Sequence, residues 1–208
     1  MAKLDNRIGN KKIVLFGGSF DPVHLGHVKM LEYCQENFNF DSIDIIPAQL
    51  SPFKDEYLFS AKQRLEFLEK AFDYDNISIN TTELDREGPS YTSLTVKEYR
   101  AKYPDAELFM LLGSDNILGL KEWNDFDYLK ENLSFIIFNR PEYRLPDLEK
   151  LGIKYYLVEN FDFMVSSTQI KEQLKSQEAS HIKSARLFDG LIPVAVQGLL
   201  LEYYVKQG

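Results

Sequence analysis

The chain carries a single cysteine, Cys34, in 208 residues. No internal disulfide is open to it, so it reads as a reduced, intracellular protein. Long apolar runs are missing too: stretches such as Ile13–Phe16 fall far short of the roughly 20 residues a bilayer span needs. Met1–Asn10 has no continuous apolar stretch ahead of a small-residue cleavage site, so no secretory signal is expected and a cytoplasmic location is the simplest expectation. Basic charge is in deficit, with 24 Lys and Arg against 32 Asp and Glu and a net charge of −8. That argues against a nucleic-acid coat or a membrane-surface module, which need clustered cations; a local patch still suffices for a small phosphate compound. Repeats and low-complexity runs are absent. No G-x-G-x-x-G follows a strand and no G-K-[ST] occurs, so neither a dinucleotide fingerprint nor a P-loop is present. No carboxylate cage for a resident metal is evident.

What the chain does have is core-forming material, 44% apolar residues with 15 Phe and 12 Tyr, enough for one sizeable domain over residues 1–208. Lys12–Phe16 is a short β-branched run stopped by Gly17-Gly18 and reads as a strand buried on both faces. A helix is predicted from about Gly26 to Asn37, a strand over Ser42–Pro47, and an amphipathic helix over Ser60–Phe72 with Ser60 as N-cap. A weak strand at Ile77–Ile79 precedes a helix over Ser93–Tyr103, ended by Pro104. Strands follow at Glu107–Leu112, Ser134–Phe138 and Tyr155–Val158, then a helix over Ser167–Lys175 and a last helix opened by Pro193. The first ten residues read as frayed, and Gln177–Arg186, with His181, as a solvated surface segment. Strands alternating with helices of 10 to 15 residues indicate βαβ units and hence an α/β, doubly wound parallel sheet covered on both faces. Its ligand belongs at the C-terminal strand ends, where the strand order reverses.

The stretch Gly17-Gly18-Ser19-Phe20-Asp21-Pro22-Val23-His24-Leu25-Gly26-His27 leaves the first strand and enters a helix. Adjacent glycines let the backbone approach an anion, and the helix tip adds free N–H groups and partial positive charge. His24 and His27, three apart, fall on one side and can donate to phosphate oxygens. The pattern resembles the signature of the nucleotidyltransferase superfamily, whose core is H-x-G-H. The resemblance implies a Rossmann-like sheet, a nucleoside triphosphate substrate, and in-line attack on its α-phosphorus with loss of pyrophosphate. Val165-Ser166-Ser167-Thr168-Gln169-Ile170-Lys171 is similar to the superfamily's second element, although Ser166 and Gln169 also read as an ordinary capping box.

Three further stretches resemble the bacterial nicotinate-mononucleotide adenylyltransferases: Glu87-Gly88-Pro89-Ser90-Tyr91-Thr92, Gly113-Ser114-Asp115 with Trp123 beyond it, and Asn139-Arg140-Pro141. The resemblance implies that Tyr91 and Thr92 hold the nicotinate carboxylate and that Trp123 stacks on the pyridine ring, a pairing an aromatic face favours. Read from the residues alone, Thr92 could simply cap a helix, Trp123 could be a core residue, and Asp115 could hydrogen-bond a ribose or cap a turn. Departures fall at Ala48 and Phe53, where the resemblance would place asparagine and histidine. Others are Lys171 in place of arginine, which loses the bidentate fork, and Glu142 in place of glycine.

The expected reaction is adenylyl transfer from ATP to nicotinate mononucleotide, with Mg²⁺ arriving on ATP. His24, His27 and Lys171 are the candidate catalytic residues. Gly17, Gly18, Ser19, Phe20, Gly113, Asp115, Ser167 and Thr168 join them around ATP, and Lys54, Tyr91, Thr92, Trp123 and Arg140 face the acceptor. The helical part from about 166 to 208 is expected to close over the nucleotide, and a homo-oligomer is compatible with the sequence. Nicotinamide mononucleotide or phosphopantetheine as acceptor, and a non-catalytic nucleotide sensor, are the competing readings. Cys34 reads as a buried hydrophobe.

Overall fold

A computed structural model describes residues 10–54, 56–140, 144–161, 163, 165–176 and 185–207. Pro141, Glu142, His181 and nearly all of the first ten residues, on which expectations were placed, lie outside the described residues.

Six strands, β1 (Lys12–Gly18), β2 (Ser42–Pro47), β3 (Ile77–Ile79), β4 (Glu107–Gly113), β5 (Ser134–Phe138) and β6 (Lys154–Val158), form one sheet in the order β3-β2-β1-β4-β5-β6. Every pairing is parallel. The chain winds outward from β1 in one direction and from β4 in the other, so β1 and β4 flank the point where the order reverses. In such sheets the crevice beyond those two strand ends is where ligands bind.

The helices are α1 (Leu25–Asn37), α2 (Ala61–Ala71), α3 (Thr92–Lys102), α4 (Ser114–Ile117), α5 (Phe126–Asn132), α6 (Ser167–Lys175) and α7 (Val194–Gln207). Right-handed crossovers from a sheet wound both ways must place helices on both faces, and two separate cores result. Alternate strand residues sort between them with the period of a strand. Ile136 and Phe138 of β5 join Val28 and Leu31 of α1, Phe67 of α2, Ile170 of α6 and Val196 of α7. Phe135 and Ile137 join Val96 of α3, Ile117 of α4 and Leu129 of α5 on the other face. Cys34 sits fully buried in the first core, where burial pushes its thiol up to about 12, as its reading as a small hydrophobe implies.

Ser60 caps α2 through a reciprocal pair: its hydroxyl accepts from the Gln63 N–H at 3.3 Å and the Gln63 Oε1 accepts from the Ser60 N–H at 2.9 Å. Element edges differ from expectation in informative ways. Strands β1 and β4 run through their glycines, because a parallel neighbour continues the ladder to Gly18↔Pro47 and Gly113↔Phe138. Helix α5 carries only Leu129 as a fully buried residue, too sparse a stripe to stand out as a period. Pro193 sits just outside α7, its carbonyl accepting the first turn's N–H groups from Val196 at 2.8 Å and Gln197 at 3.2 Å. Between β5 and β6 the described residues hold a 3₁₀ turn, Glu149–Leu151.

Candidate active site

A cleft of about 370 Å³ opens at the C-terminal ends of β1 and β4. It is lined by the end of β1 and the residue after it (Gly17, Gly18, Ser19), the tip of α1 (His24, His27) and the start of α6 (Ser166, Ser167, Thr168), and by Tyr91, Thr92, Trp123 and Asn124 from the start of α3 and the segment before α5. Gly113, Asp115, Arg140 and Lys54 complete it. Residues spread over more than 150 positions of sequence therefore meet at the sheet's switch point.

The α1 tip is built around its two imidazoles, stacked with centroids 3.6 Å apart. His24 stands at the N-cap position, and its backbone N–H donates to His27 Nδ1 at 3.2 Å. Because that nitrogen accepts, the neutral His27 ring carries its proton on Nε2 as a donor. Gly26 between them is required by space: a Cβ there would lie 2.9 Å from His24 Nδ1 and 3.2 Å from the backbone oxygen of Val165. Phe20 does not line the cleft. Its ring is 1% exposed and packs edge-on against His27 at 4.9 Å and Phe16 at 5.4 Å, so it backs the histidine from the core side.

His24 is 2% exposed, and its Nδ1 has no partner. Burial, and after it the Arg140 cation, lower its pKa to about 3. Burial, His24, Arg140 and Lys54 lower that of His27 as well. Both rings stay neutral where an unfolded chain would protonate them, so the unfolded state binds more protons below about pH 6.5 and stability must fall as pH drops from there toward about 3. Denaturant midpoints taken down that range are expected to decline, and to decline less steeply in His24→Ala. A midpoint that holds level would contradict the neutral pair.

Asp21, within the motif but unassigned by sequence, is fully buried. Its Oδ1 accepts from the Phe59 N–H at 2.9 Å, and its Oδ2 from the Leu58 N–H at 3.0 Å and from Lys171 Nζ at 3.2 Å. Lys171 thus stands just outside the cleft lining, tethered to the phosphate-side turn. Ser167 fastens α6 to the same turn, its hydroxyl donating to the Pro22 carbonyl at 3.0 Å. The Ser166 hydroxyl accepts from the Gln169 N–H at 3.1 Å, so Ser166 caps α6 while the reciprocal half of the expected capping box does not form. Arg64 of α2 is another residue the sequence did not reveal. It is fully buried, donates from Nη1 to the Ser19 carbonyl at 2.7 Å and covers the Tyr57 ring at 4.3 Å. Lys54 Nζ donates to Ser19 Oγ at 2.7 Å. Burial and then Lys171 lower its pKa; with Arg64, three cations gather around this turn.

Across the cleft, Thr92 opens α3 while Tyr91 occupies the N-cap position without side-chain capping. The Thr92 hydroxyl is thus not the helix cap. Trp123, half-buried, follows a 3₁₀ turn over Leu120–Glu122, and the Ser93 hydroxyl holds its neighbour Asn124 by donating to Oδ1 at 2.7 Å. Asp115 lies inside α4 and caps nothing. Its Oδ1 is buried without a hydrogen bond, 3.8 Å from Arg140 Nε. A Cβ on Gly113 would strike that oxygen at 2.3 Å, so glycine is what lets the carboxylate fold back.

This convergence of glycine turn, helix tips and cations at a parallel-sheet switch point defines a nucleotide-handling α/β enzyme, and residues 15–173 match the cytidylyltransferase-like family. A probable nicotinate-nucleotide adenylyltransferase from Methylacidiphilum infernorum is 34% identical over 80% of this chain and 81% of its own. One from Exiguobacterium sibiricum is 32% identical over 92% and 97%. The chain belongs to the nicotinate-nucleotide adenylyltransferases of that cytidylyltransferase-like family. The fold agrees: the nicotinic acid mononucleotide adenylyltransferase of Plasmodium falciparum, solved in complex with NaAD, superposes with a TM-score of 0.75 at 20% identity, over 93% of this chain and 96% of that one.

Proposed function

We propose that the enzyme transfers the adenylyl group of ATP to nicotinate mononucleotide, yielding nicotinate adenine dinucleotide and pyrophosphate in NAD biosynthesis. The observation that carries this reading is one cleft whose lining joins Gly17, Gly18, Ser19, His24, His27, Ser167 and Thr168 to Tyr91, Thr92 and Trp123. The first group suits a triphosphate, the second a flat ring with a carboxylate.

The acceptor phosphate oxygen attacks the α-phosphorus, the bond to the bridging α,β-oxygen breaks, and pyrophosphate departs with that electron pair. The nucleophile is already an anion, so alignment and charge neutralisation do the work in place of a strong base. His27 Nε2 and the α1 tip donate to the phosphate oxygens. Lys171, held by Asp21, reaches the β- and γ-phosphates together with Ser167 and Thr168 from the start of α6. Lys54 meets the acceptor phosphate, Trp123 stacks on the pyridine, and Thr92 with Tyr91 takes its carboxylate. Mg²⁺ enters on ATP as part of the substrate. Among the described residues no group of three or more His, Cys, Asp or Glu is placed to hold a metal ion, so phosphate oxygens and water are its proposed ligands. The cytoplasm is the proposed location; among the described residues no helix is long and apolar enough to cross a membrane.

Pyrophosphate release measured with ATP and each of three acceptors tests the assignment. Nicotinate mononucleotide is expected to turn over fastest. Equal use of nicotinamide mononucleotide would remove Thr92 from carboxylate recognition, and ATP binding without release for any acceptor would mark a sensor.

A further inference from the structure

Glu83 is the buried carboxyl of this cleft to which no role has yet fallen. It is 7% exposed and lines the cavity, yet its contacts lead away from the phosphates. Thr95, in the first turn of α3, donates its hydroxyl to Glu83 Oε1 at 2.6 Å, and the Ser90 hydroxyl lies near enough to the same carboxyl to hold its pKa down against burial. Ser90 is in turn bound twice to the segment after β2. Its Oγ accepts from the Gln49 N–H at 2.8 Å, and its own N–H donates to the Leu50 carbonyl at 2.8 Å. That segment is anchored at its other end by the Ala48 N–H donating to the Gly18 carbonyl at 2.9 Å, and it leads to Lys54.

The direction of each bond gives the arrangement its logic. Ser90 Oγ spends a lone pair on Gln49, so its proton needs an acceptor, and the Thr95 proton needs another. A carboxylate, which accepts on both oxygens and donates nothing, can take both protons. Glu83 meets that need without a cation in direct contact: Arg86, whose charge acts on it, is itself paired with Glu98 at 2.7 Å. Burial raises the pKa of Glu83, the cost of keeping a carboxyl here for its hydrogen bonds.

We infer that Glu83 is a positioning residue for the acceptor nucleotide: through Ser90 and Thr95 it locks the Ala48–Lys54 segment to the start of α3, and so sets Lys54, Tyr91 and Thr92 at a fixed spacing around the acceptor. This rests on the proposed acceptor side of the cleft. The phosphate-side groups, His24, His27 and Lys171, receive no bond from this network, so its loss separates the two substrates.

Initial rates with ATP and nicotinate mononucleotide varied independently test the inference in Glu83→Gln, Glu83→Ala and Ser90→Ala. Glutamine keeps the volume but turns one acceptor end into a donor. Its KM for nicotinate mononucleotide is expected to rise about tenfold, the scale of one hydrogen bond to a charged group, with the KM for ATP within about twofold of wild type. Ser90→Ala is expected to match it, and the double variant Glu83→Gln/Ser90→Ala to be no worse than the poorer single, as for members of one network. An unchanged acceptor KM in a folded variant, or an equal rise in both KM values, overturns the inference while wild-type turnover still supports the function. A wild-type enzyme that fails to use nicotinate mononucleotide overturns both.

Discussion

Turnover in His27→Ala is expected to fall about a hundredfold or more, the loss that follows removal of one preorganised donor to developing charge, with the melting temperature little changed. The two ring nitrogens have separate duties that substitution can divide. Nδ1 accepts from the His24 backbone N–H and so belongs to the helix tip; Nε2 is the donor proposed to meet the phosphates. Asparagine can offer an oxygen near the Nδ1 position but nothing at Nε2, so His27→Asn is expected to preserve the tip and still lose turnover. Glutamine reaches the Nε2 position and is expected to recover part of the rate. Since burial and neighbouring charge keep the ring neutral, the donor is present throughout the neutral pH range without a proton from solvent. Pyrophosphate release alongside thermal unfolding checks all three variants, and near-wild-type turnover in His27→Asn would remove Nε2 from the mechanism.

The histidines were legible in the sequence because their roles are local. A glycine turn, a helix start and two imidazoles three apart lie within eleven residues, and the spacing itself places both rings on one side of α1. The same is true of Ser60, whose cap needs only a partner three residues on. Asp21, Arg64 and Glu83 were not legible, for a shared reason. Each is a charged side chain buried by partners that no helix or strand period announces: far away in sequence for Asp21, by Leu58, Phe59 and Lys171, and for Arg64, by the Ser19 carbonyl, and across a loop for Glu83, by Thr95 twelve residues on. In α2 the pattern of Phe67 and Leu68 marks an apolar face, and an arginine on that face reads as a solvated exception until the fold brings Ser19 and Tyr57 to it. Phe20 was expected at the site for its backbone, and where its side chain goes was not legible: at a positive φ of 47° its ring packs into the core, which no spacing rule reports. Thr92 was hidden by ambiguity, since threonine at a helix start satisfies the capping rule until the observed N-cap proves to be Tyr91.

The second large effect is expected at Asp21, and it falls on stability as well as on rate. All three groups facing the carboxylate are donors: two backbone N–H groups and the Lys171 ammonium. Alanine leaves them without an acceptor in a fully buried position, and breaking a buried pair by removing one partner costs about 3 kcal/mol or more. Asparagine fares little better than alanine here, because its amide NH₂ must point at one of those donors. Asp21→Asn is therefore expected to lose at least half as much stability as Asp21→Ala in urea unfolding. Lys171→Met strips the buried carboxylate of its cation but leaves its two backbone bonds intact, so its stability loss is expected to stay below that of Asp21→Ala while its turnover falls sharply, the cation being the part proposed to meet the phosphates. The ordering separates the two duties of the pair: Asp21 joins the turn after β1 to the segment before α2 and to α6, and Lys171 uses that junction to present its charge. Were Asp21→Asn as stable as wild type, the junction would not depend on a carboxylate, and Lys171 would need another means of being held at the cleft's edge.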